Sequence, residues 1–252
     1  MPSVELTGRR ALVTGASSGL GRHFSQVLAR SGAHVTLAAR RIGALEETAA
    51  RISSEGGRSE ILHLDVTDEA SCAAAVETAV ANGGRLNGML NAAGILRVAS
   101  ALELPAADFK ASMDINVTGA LLLGRQAGKV MIDQGGGQMV TIASVSSQVA
   151  NPNYAAYATS KAALMQLTRV LAVEWAEHQV AVNAIGPAVI PTPLSDPFMA
   201  TPEFRAYQMA RIPMGRMATV EDLFGTALLL LSPAGAFITG QTIYVDGGRT
   251  LV

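Results

Sequence analysis

The chain has 252 residues, 49% hydrophobic and 15% charged, which is material for one large α/β domain with an ample core. Its formal net charge of −1 gives no basic footprint for nucleic acid. The one cysteine, Cys72, excludes an internal disulfide and cysteine-rich zinc sites, and His23, His34, His63 and His178 form no ligand cluster, so no metal is expected.

Residues 1–6 show no basic region leading into an apolar stretch, and no apolar run reaches the ~18 residues that span a bilayer. A cytoplasmic protein with no membrane partner is the expectation. Along the chain, strand and helix patterns alternate from the start. A short buried strand over 11–13 leads to a helix over 20–31 that ends at Gly32. A strand over 34–39 and a helix over 42–55 follow, closed by Gly56-Gly57. Then come a strand over 61–64, a helix over 69–81 stopped by Gly83-Gly84, and a strand beginning at Met89-Leu90. A long helix is expected over 109–132, softly interrupted at Gly119, Gly124 and Gly128. A strand over 138–143 precedes a helix around Tyr157 that meets no Pro or Gly until Gly186 and reads as buried core. A strand over 180–185, a helix over 220–232 and a strand over 242–245 close the series.

Strands that are apolar almost throughout, separated by helices, argue a parallel sheet covered on both faces. One unbroken alternation of seven strands predicts a single doubly wound domain over 1–252. The segment 188–217 stands apart: it is rich in Pro (Pro191, Pro193, Pro197, Pro202, Pro213) and carries Leu194, Phe198, Met199, Phe204 and Tyr207. It reads as a mobile lid with one short helix, whose apolar residues either greet a hydrophobic substrate or pack the lid down.

The first strand runs into Thr14-Gly15-Ala16-Ser17-Ser18-Gly19-Leu20-Gly21 and then a helix, the context that a Rossmann-type dinucleotide fingerprint requires. Gly15 permits the sharp turn, Gly19 lets backbone approach a pyrophosphate, and Gly21 lets helix pack on strand. The helix start offers free N–H groups to phosphate, so Gly15, Ser17, Ser18, Gly19 and Leu20 are candidate cofactor contacts. An acid at the end of the second strand holds the ribose 2′-OH of NAD, but here the chain reads Ala38-Ala39-Arg40-Arg41. Two guanidiniums suit a 2′-phosphate, so NADP(H) is the expected cofactor, with Arg40 the main contact and Arg41 supporting.

Tyr157 and Lys161 are four apart and share a helix face. The chain has only three lysines (Lys110, Lys129, Lys161) among its basic residues, and a compact ammonium is not interchangeable with a guanidinium. A neighbouring cation lowers a phenol toward useful acid–base range, so Tyr157 is the candidate acid/base. Tyr154 is a rival phenol, but the residue four along is Ala158.

Together Thr14-Gly15-x-x-x-Gly19-x-Gly21, Asn91-Ala92-Ala93-Gly94, Asn116, Ser144, Tyr157-x-x-x-Lys161 and the ending 240–248 (GQTIYVDGG) resemble the classical branch of the short-chain dehydrogenase/reductase family, over roughly the whole chain. The resemblance implies that Tyr157 exchanges a proton with the substrate oxygen and that Lys161 lowers its pKa and holds the nicotinamide ribose. It implies that Ser144 orients the carbonyl, with Ser146 and Ser147 as nearby rivals, and that Asn116 kinks its helix and serves a proton relay to Lys161. It further implies that Asp65 and Val66 meet the adenine, that Asn91, Ala93 and Gly94 line the adenosine ribose side, and that Pro187, Ile190 and Thr192 meet the nicotinamide end. Ala92 and Ala188 stand where the family usually has Asn and Gly. Family members are typically homotetramers, which puts the 109–132 and Tyr157 helices in one interface and the last strand with 249–252 in another.

The activity so implied is hydride transfer between NADP(H) and a ketone or secondary alcohol. Gly94-Ile95-Leu96-Arg97 and Ala172-Val173-Glu174-Trp175-Ala176 are similar to the subgroup that oxidises gluconate and deoxygluconate, with Arg97 placed to hold an acid or phosphate. A sugar acid, a 3-oxoacyl thioester or β-keto ester, and a general ketone stay open as substrates. The alternative of another class is a non-catalytic NADP-binding redox sensor; such relatives usually lose the Tyr or Lys that this chain keeps.

Overall fold

The strand patterns come together as one sheet. The computed structural model describes residues 4–81 and 84–252; residues 1–3, Asn82 and Gly83, the first glycine expected to stop the third helix, lie outside the described residues. The strands are β1 (Arg10–Thr14), β2 (His34–Ala39), β3 (Arg58–His63), β4 (Gly88–Asn91), β5 (Gly137–Ile142), β6 (Val180–Pro187) and β7 (Thr242–Val245). All pair in parallel, in the order β3-β2-β1-β4-β5-β6-β7. The helices are α1 (Gly19–Arg30), α2 (Ile42–Ser54), α3 (Glu69–Ala81), α4 (Ala106–Met113), α5 (Gly119–Asp133), α6 (Ala155–Trp175), α7 (Asp196–Met199), α8 (Pro202–Met209) and α9 (Phe224–Leu231).

Successive strand residues face opposite layers, and the core divides accordingly. Val13, Val35, Leu90, Val140 and Ile185 meet Phe24 and Leu28 of α1, Ile52 of α2 and Leu230 of α9. Their neighbours Leu12, Met89, Met139 and Val182 meet Val76 of α3, Leu123 and Met131 of α5 and Leu171 of α6. With both faces covered, each central side chain is fully dry, worth ~1.5–3 kcal/mol apiece for large aliphatic groups.

The chain leaves β1 toward β2 and β3, then returns to the other side with β4. The carboxyl ends of β1 and β4 therefore diverge and open a crevice, where ligands of such sheets bind. Thr14 Oγ1 donates to Asn91 Oδ1 at 2.6 Å and accepts from Ala93 N–H at 3.2 Å, stitching the two strand ends at that point.

Several boundaries differ from expectation. β3 begins at Arg58, because this edge strand tolerates polar residues: Glu60 accepts from Thr36 Oγ1 at 2.7 Å and pairs with Arg10 at 3.5 Å. The long helix starts earlier and breaks at a π-helical turn over Asp114–Thr118, not at its glycines. Gly119 and Gly128 are instead close-packing positions, where an added Cβ would lie 2.8 Å from Val66 and from the Trp175 ring. α6 is core on one side only, since Val170 and Val173 on its outer side are 43% and 80% exposed. The last helix opens as a 3-10 turn, Glu221–Leu223, and the 188–217 segment holds two short helices, α7 and α8, where one was expected. No helix among the described residues is long and apolar enough to cross a membrane.

Candidate active site

The crevice is a cavity of about 520 Å³, within the range of small-molecule sites. At one end lies the glycine turn. Gly15 has φ +66°, and an added Cβ would sit 2.8 Å from the Ala92 carbonyl oxygen; one on Gly21 would collide with the Gly15 carbonyl. These two glycines let β1 turn sharply into α1 against the start of the β4 loop. α1 begins after Ser18 with no side-chain cap on its first N–H groups, which leaves donors free for an anion. Beside Gly19 the nearest neighbours of an added Cβ are Thr192 and Pro193 at 3.8 and 3.9 Å, so this backbone faces across the cavity.

Of the residues expected to meet the cofactor, Gly15, Ser17, Ser18, Gly19, Leu20, Arg40, Arg41, Asp65, Val66, Ala93, Gly94, Pro187, Ile190 and Thr192 line the cavity. Asn91 does not. It is buried behind the lining, its side chain spent on Thr14. The two arginines differ in what they touch. Arg41 Nη2 reaches Ser17 Oγ at 3.1 Å and Ser18 Oγ at 2.9 Å, closing on the glycine turn. Arg40 lies near Asp65, whose carboxyl is held low first by hydrogen bonds from Thr67 and less by Arg40.

At the other end, the start of α6 meets the end of β5. Tyr157 is half-buried and Lys161 is 5% exposed. Lys161 Nζ lies 5.6 Å from the centre of the Tyr157 ring and donates to the Ile142 carbonyl at 2.7 Å. Burial pushes the Tyr157 phenol up to about 12, against a hydrogen bond with Ser144 that opposes it. Burial also brings the Lys161 ammonium down to about 8. The lowering of the phenol expected from Lys161 is not seen here: loss of phenolate hydration dominates, and the ammonium is aimed at a carbonyl, not at the phenol oxygen.

Ser144 Oγ accepts from Ser146 N–H at 3.1 Å, which leaves its own proton for another acceptor. Ser147 faces away from the cavity. Its hydroxyl donates to the Ser144 carbonyl at 2.6 Å, so in its 2.9 Å contact with Tyr244 the phenol must be the donor. The Tyr244 ring fits because residue 186 is glycine; an added Cβ there would be 2.5 Å from the ring. A chain of hydrogen bonds thus runs from β7 through Ser147 to the backbone that carries Ser144.

Asn116 sits in the π turn, so the expected break in the helix is present. Its side chain lies behind the lining, 1% exposed, donating to the Ile95 carbonyl at 3.0 Å and Ser160 Oγ at 2.9 Å, and accepting from Ile95 N–H at 2.8 Å. Ser160 in turn donates to the Tyr157 carbonyl at 2.7 Å. Asn116 therefore ties the β4 loop to the helix bearing Tyr157 and Lys161. Arg97 lies outside the cavity lining, paired with Asp108 of α4 at 3.3 Å; the expected reach to the pocket mouth is not seen, because α4 supplies a carboxylate beside it.

The sequence singles out neither Ser160 nor Tyr244 for a role in the site, and Ser147 only as a rival to Ser144. Ser160 had a signal, being next to Lys161 on the helix face that packs inward. Tyr244 had none, since its partner Ser147 is 97 residues away.

The family profile described as enoyl-(acyl carrier protein) reductase matches residues 15–250. The chain is 35% identical over 246 residues to gluconate 5-dehydrogenase of Gluconobacter oxydans (strain 621H), covering 98% of this chain and 96% of that one. It is 38% identical over 250 residues to galactitol 2-dehydrogenase (L-tagatose-forming) of Cereibacter sphaeroides, covering 98% and 96%. Among solved structures, a gluconate 5-dehydrogenase from Burkholderia cenocepacia J2315 in complex with NADP and tartrate superposes with a TM-score of 0.95 at 32% identity, covering 99% of this chain and 98% of that one.

Proposed function

The chain belongs to the short-chain dehydrogenase/reductase family, and we propose that it reduces a ketone to a secondary alcohol, reversibly, with NADP(H). It is an oxidoreductase acting between alcohol and ketone groups. The observation that carries the reading is the convergence of Ser144, Tyr157 and Lys161 on one end of a cavity whose other end holds an uncapped helix start and Arg41.

The residues present fit the cofactor: the glycine turn leaves free N–H groups for phosphates, Arg41 with Ser17 and Ser18 offers donors to a 2′-phosphate, and β2 ends in arginines where an acid would repel it, the lining Asp65 standing past β3. When bound, the nicotinamide supplies or accepts the hydride. The chain's own residues handle the substrate oxygen and its proton. Ser144 Oγ directs its proton at the carbonyl oxygen and fixes its orientation. Tyr157 then gives its phenolic proton to that oxygen as negative charge grows there. A phenol held near 12 is fully protonated at neutral pH, which readies the site for reduction. Lys161, anchored on Ile142 and 5.6 Å from the Tyr157 ring, would hold a ribose hydroxyl of the cofactor through its remaining N–H groups, and Asn116 holds this helix in place.

α7 and α8, inside the 188–217 segment, form the lid over the substrate end. The protein assembles as a homotetramer, a reading supported by the outward Leu121, Val170 and Val173 on α5 and α6 and by Leu251 and Val252 beyond β7, all more than a third exposed in the single chain. NADPH oxidation by purified protein over a panel of carbonyl compounds tests the activity. Turnover with NADPH favoured over NADH is the expected result; tight NADPH binding with no turnover of any carbonyl would overturn it in favour of a sensor.

A further inference from the structure

The lining of the cavity divides by charge. Among the described lining residues, the charged ones are Arg40, Arg41, Asp65 and Lys161. The first three stand at the ends of β2 and β3, on the far side of the sheet from β5 and β6. Lys161 Nζ is turned to the Ile142 carbonyl at 2.7 Å and lies 5.6 Å from the centre of the Tyr157 ring, directed at backbone and not at the apolar wall. The end that holds Ser144 and Tyr157 is closed instead by Leu96, Val145, Leu194, Phe198 and Phe204. Phe198 and Phe204 come from α7 and α8, with ring centres 6.2 Å apart. The polar groups there, such as Asn151 and Gln208, are neutral.

Arg97 and Arg249 lie nearby, and neither lines the cavity, nor do Arg205 and Arg211 of the 188–217 segment. Arg97 is paired with Asp108 at 3.3 Å. Arg249 is 6% exposed and donates to Asn151 Oδ1 at 3.3 Å and to the Val252 carbonyl at 3.4 Å. That bond fixes Asn151 with its amide N–H groups left to offer, a neutral donor in place of a cation. A carboxylate brought against this apolar wall would lose its water and meet no cation there, Lys161 being directed at the Ile142 carbonyl, a penalty that a neutral group avoids.

Resting on the reductase reading above, we infer that the substrate of this site is an uncharged ketone with an apolar body, and not a sugar acid. This departs from the gluconate enzymes to which the chain is similar, and it explains why Arg97 is held on α4.

The test is a matched pair, acetophenone and 4-acetylbenzoate, with 5-keto-gluconate as a third probe, each reduced with saturating NADPH by wild type and Arg97→Ala. The expected result is kcat/KM at least tenfold higher for acetophenone than for either acid, unchanged in Arg97→Ala. A preference for either acid, with its KM raised tenfold or more in Arg97→Ala, would overturn the inference. Absence of turnover throughout would count against the reductase reading instead. The same pair is then compared by calorimetric binding to the Tyr157→Phe protein with NADPH. Tighter binding of acetophenone there sustains the inference, and tighter binding of the acid, or binding of neither, refutes it.

Discussion

Replacing Lys161 by Met probes the energetic cost of the site. Lys161 is 5% exposed and its ammonium is brought from 10.5 to about 8 by burial. Below pH 8 the folded chain holds a poorly hydrated cation that the unfolded chain keeps in water. The gap corresponds to about 3 kcal/mol at ~1.4 kcal/mol per tenfold change. Above pH 8 the folded state sheds the proton while the unfolded state still binds it, so stability rises with pH; as pH falls through 8 that stability is lost. Met removes the titration and also the bond to the Ile142 carbonyl, the latter a cost of ~1–3 kcal/mol that does not vary with pH. Tyr157 titrates in both proteins and cancels. Urea unfolding of the two proteins between pH 7 and 9.5 should therefore show wild type gaining about 2 kcal/mol on Lys161→Met. A difference that stays flat, or slopes the other way, would mean that the ammonium is not desolvated and that the account of the site's electrostatics is wrong.

Other consequences follow from the same geometry. Arg41→Ala should raise KM for NADPH roughly tenfold, a loss of ~1.4 kcal/mol in charge-assisted bonding, and leave KM for NADH little changed; equal effects on both would remove Arg41 from the 2′-phosphate. Tyr244→Phe deletes one hydroxyl from the chain that ends on the Ser144 backbone, and should lower kcat several-fold with KM for NADPH unchanged. In a Ser144→Ala background the same substitution should have no further effect, and full additivity would reduce Tyr244 to a packing residue. Gly128→Ala drives a methyl to 2.8 Å from Trp175 and should cost ~1–3 kcal/mol, whereas Gly43→Ala, in α2 with nothing within 4 Å, should stabilise by about 0.5–1 kcal/mol; thermal melts of the two variants separate these signs.

Where the pattern is local, the sequence carried the structure. Apolar runs such as Ala11-Leu12-Val13 and the glycine turn after them place β1, α1 and the crevice, and the four-residue spacing places Tyr157 over Lys161. Readings failed where a side chain's partner lies outside the local pattern, on another element. Nothing around Arg97 announces Asp108 of α4 beside it, so its expected role at the pocket mouth was lost. Asn91 carries the right motif but turns to Thr14 across the sheet, 77 residues away. The polar start of β3 has no strand periodicity and is defined by pairing with β2. The electrostatics went the other way for a similar reason: spacing reveals a neighbouring cation, while only packing reveals how much water both groups have lost.

The most direct test of the central claim is Tyr157→Phe, which keeps the ring and removes the proton donor. Ketone reduction should fall by about 10³-fold, the middle of the ~10²–10⁴ range for a positioned acid, while calorimetric NADPH binding stays within twofold of wild type. A variant that retains most of its turnover, with cofactor bound as before, would show that another group supplies the proton and would contradict the account.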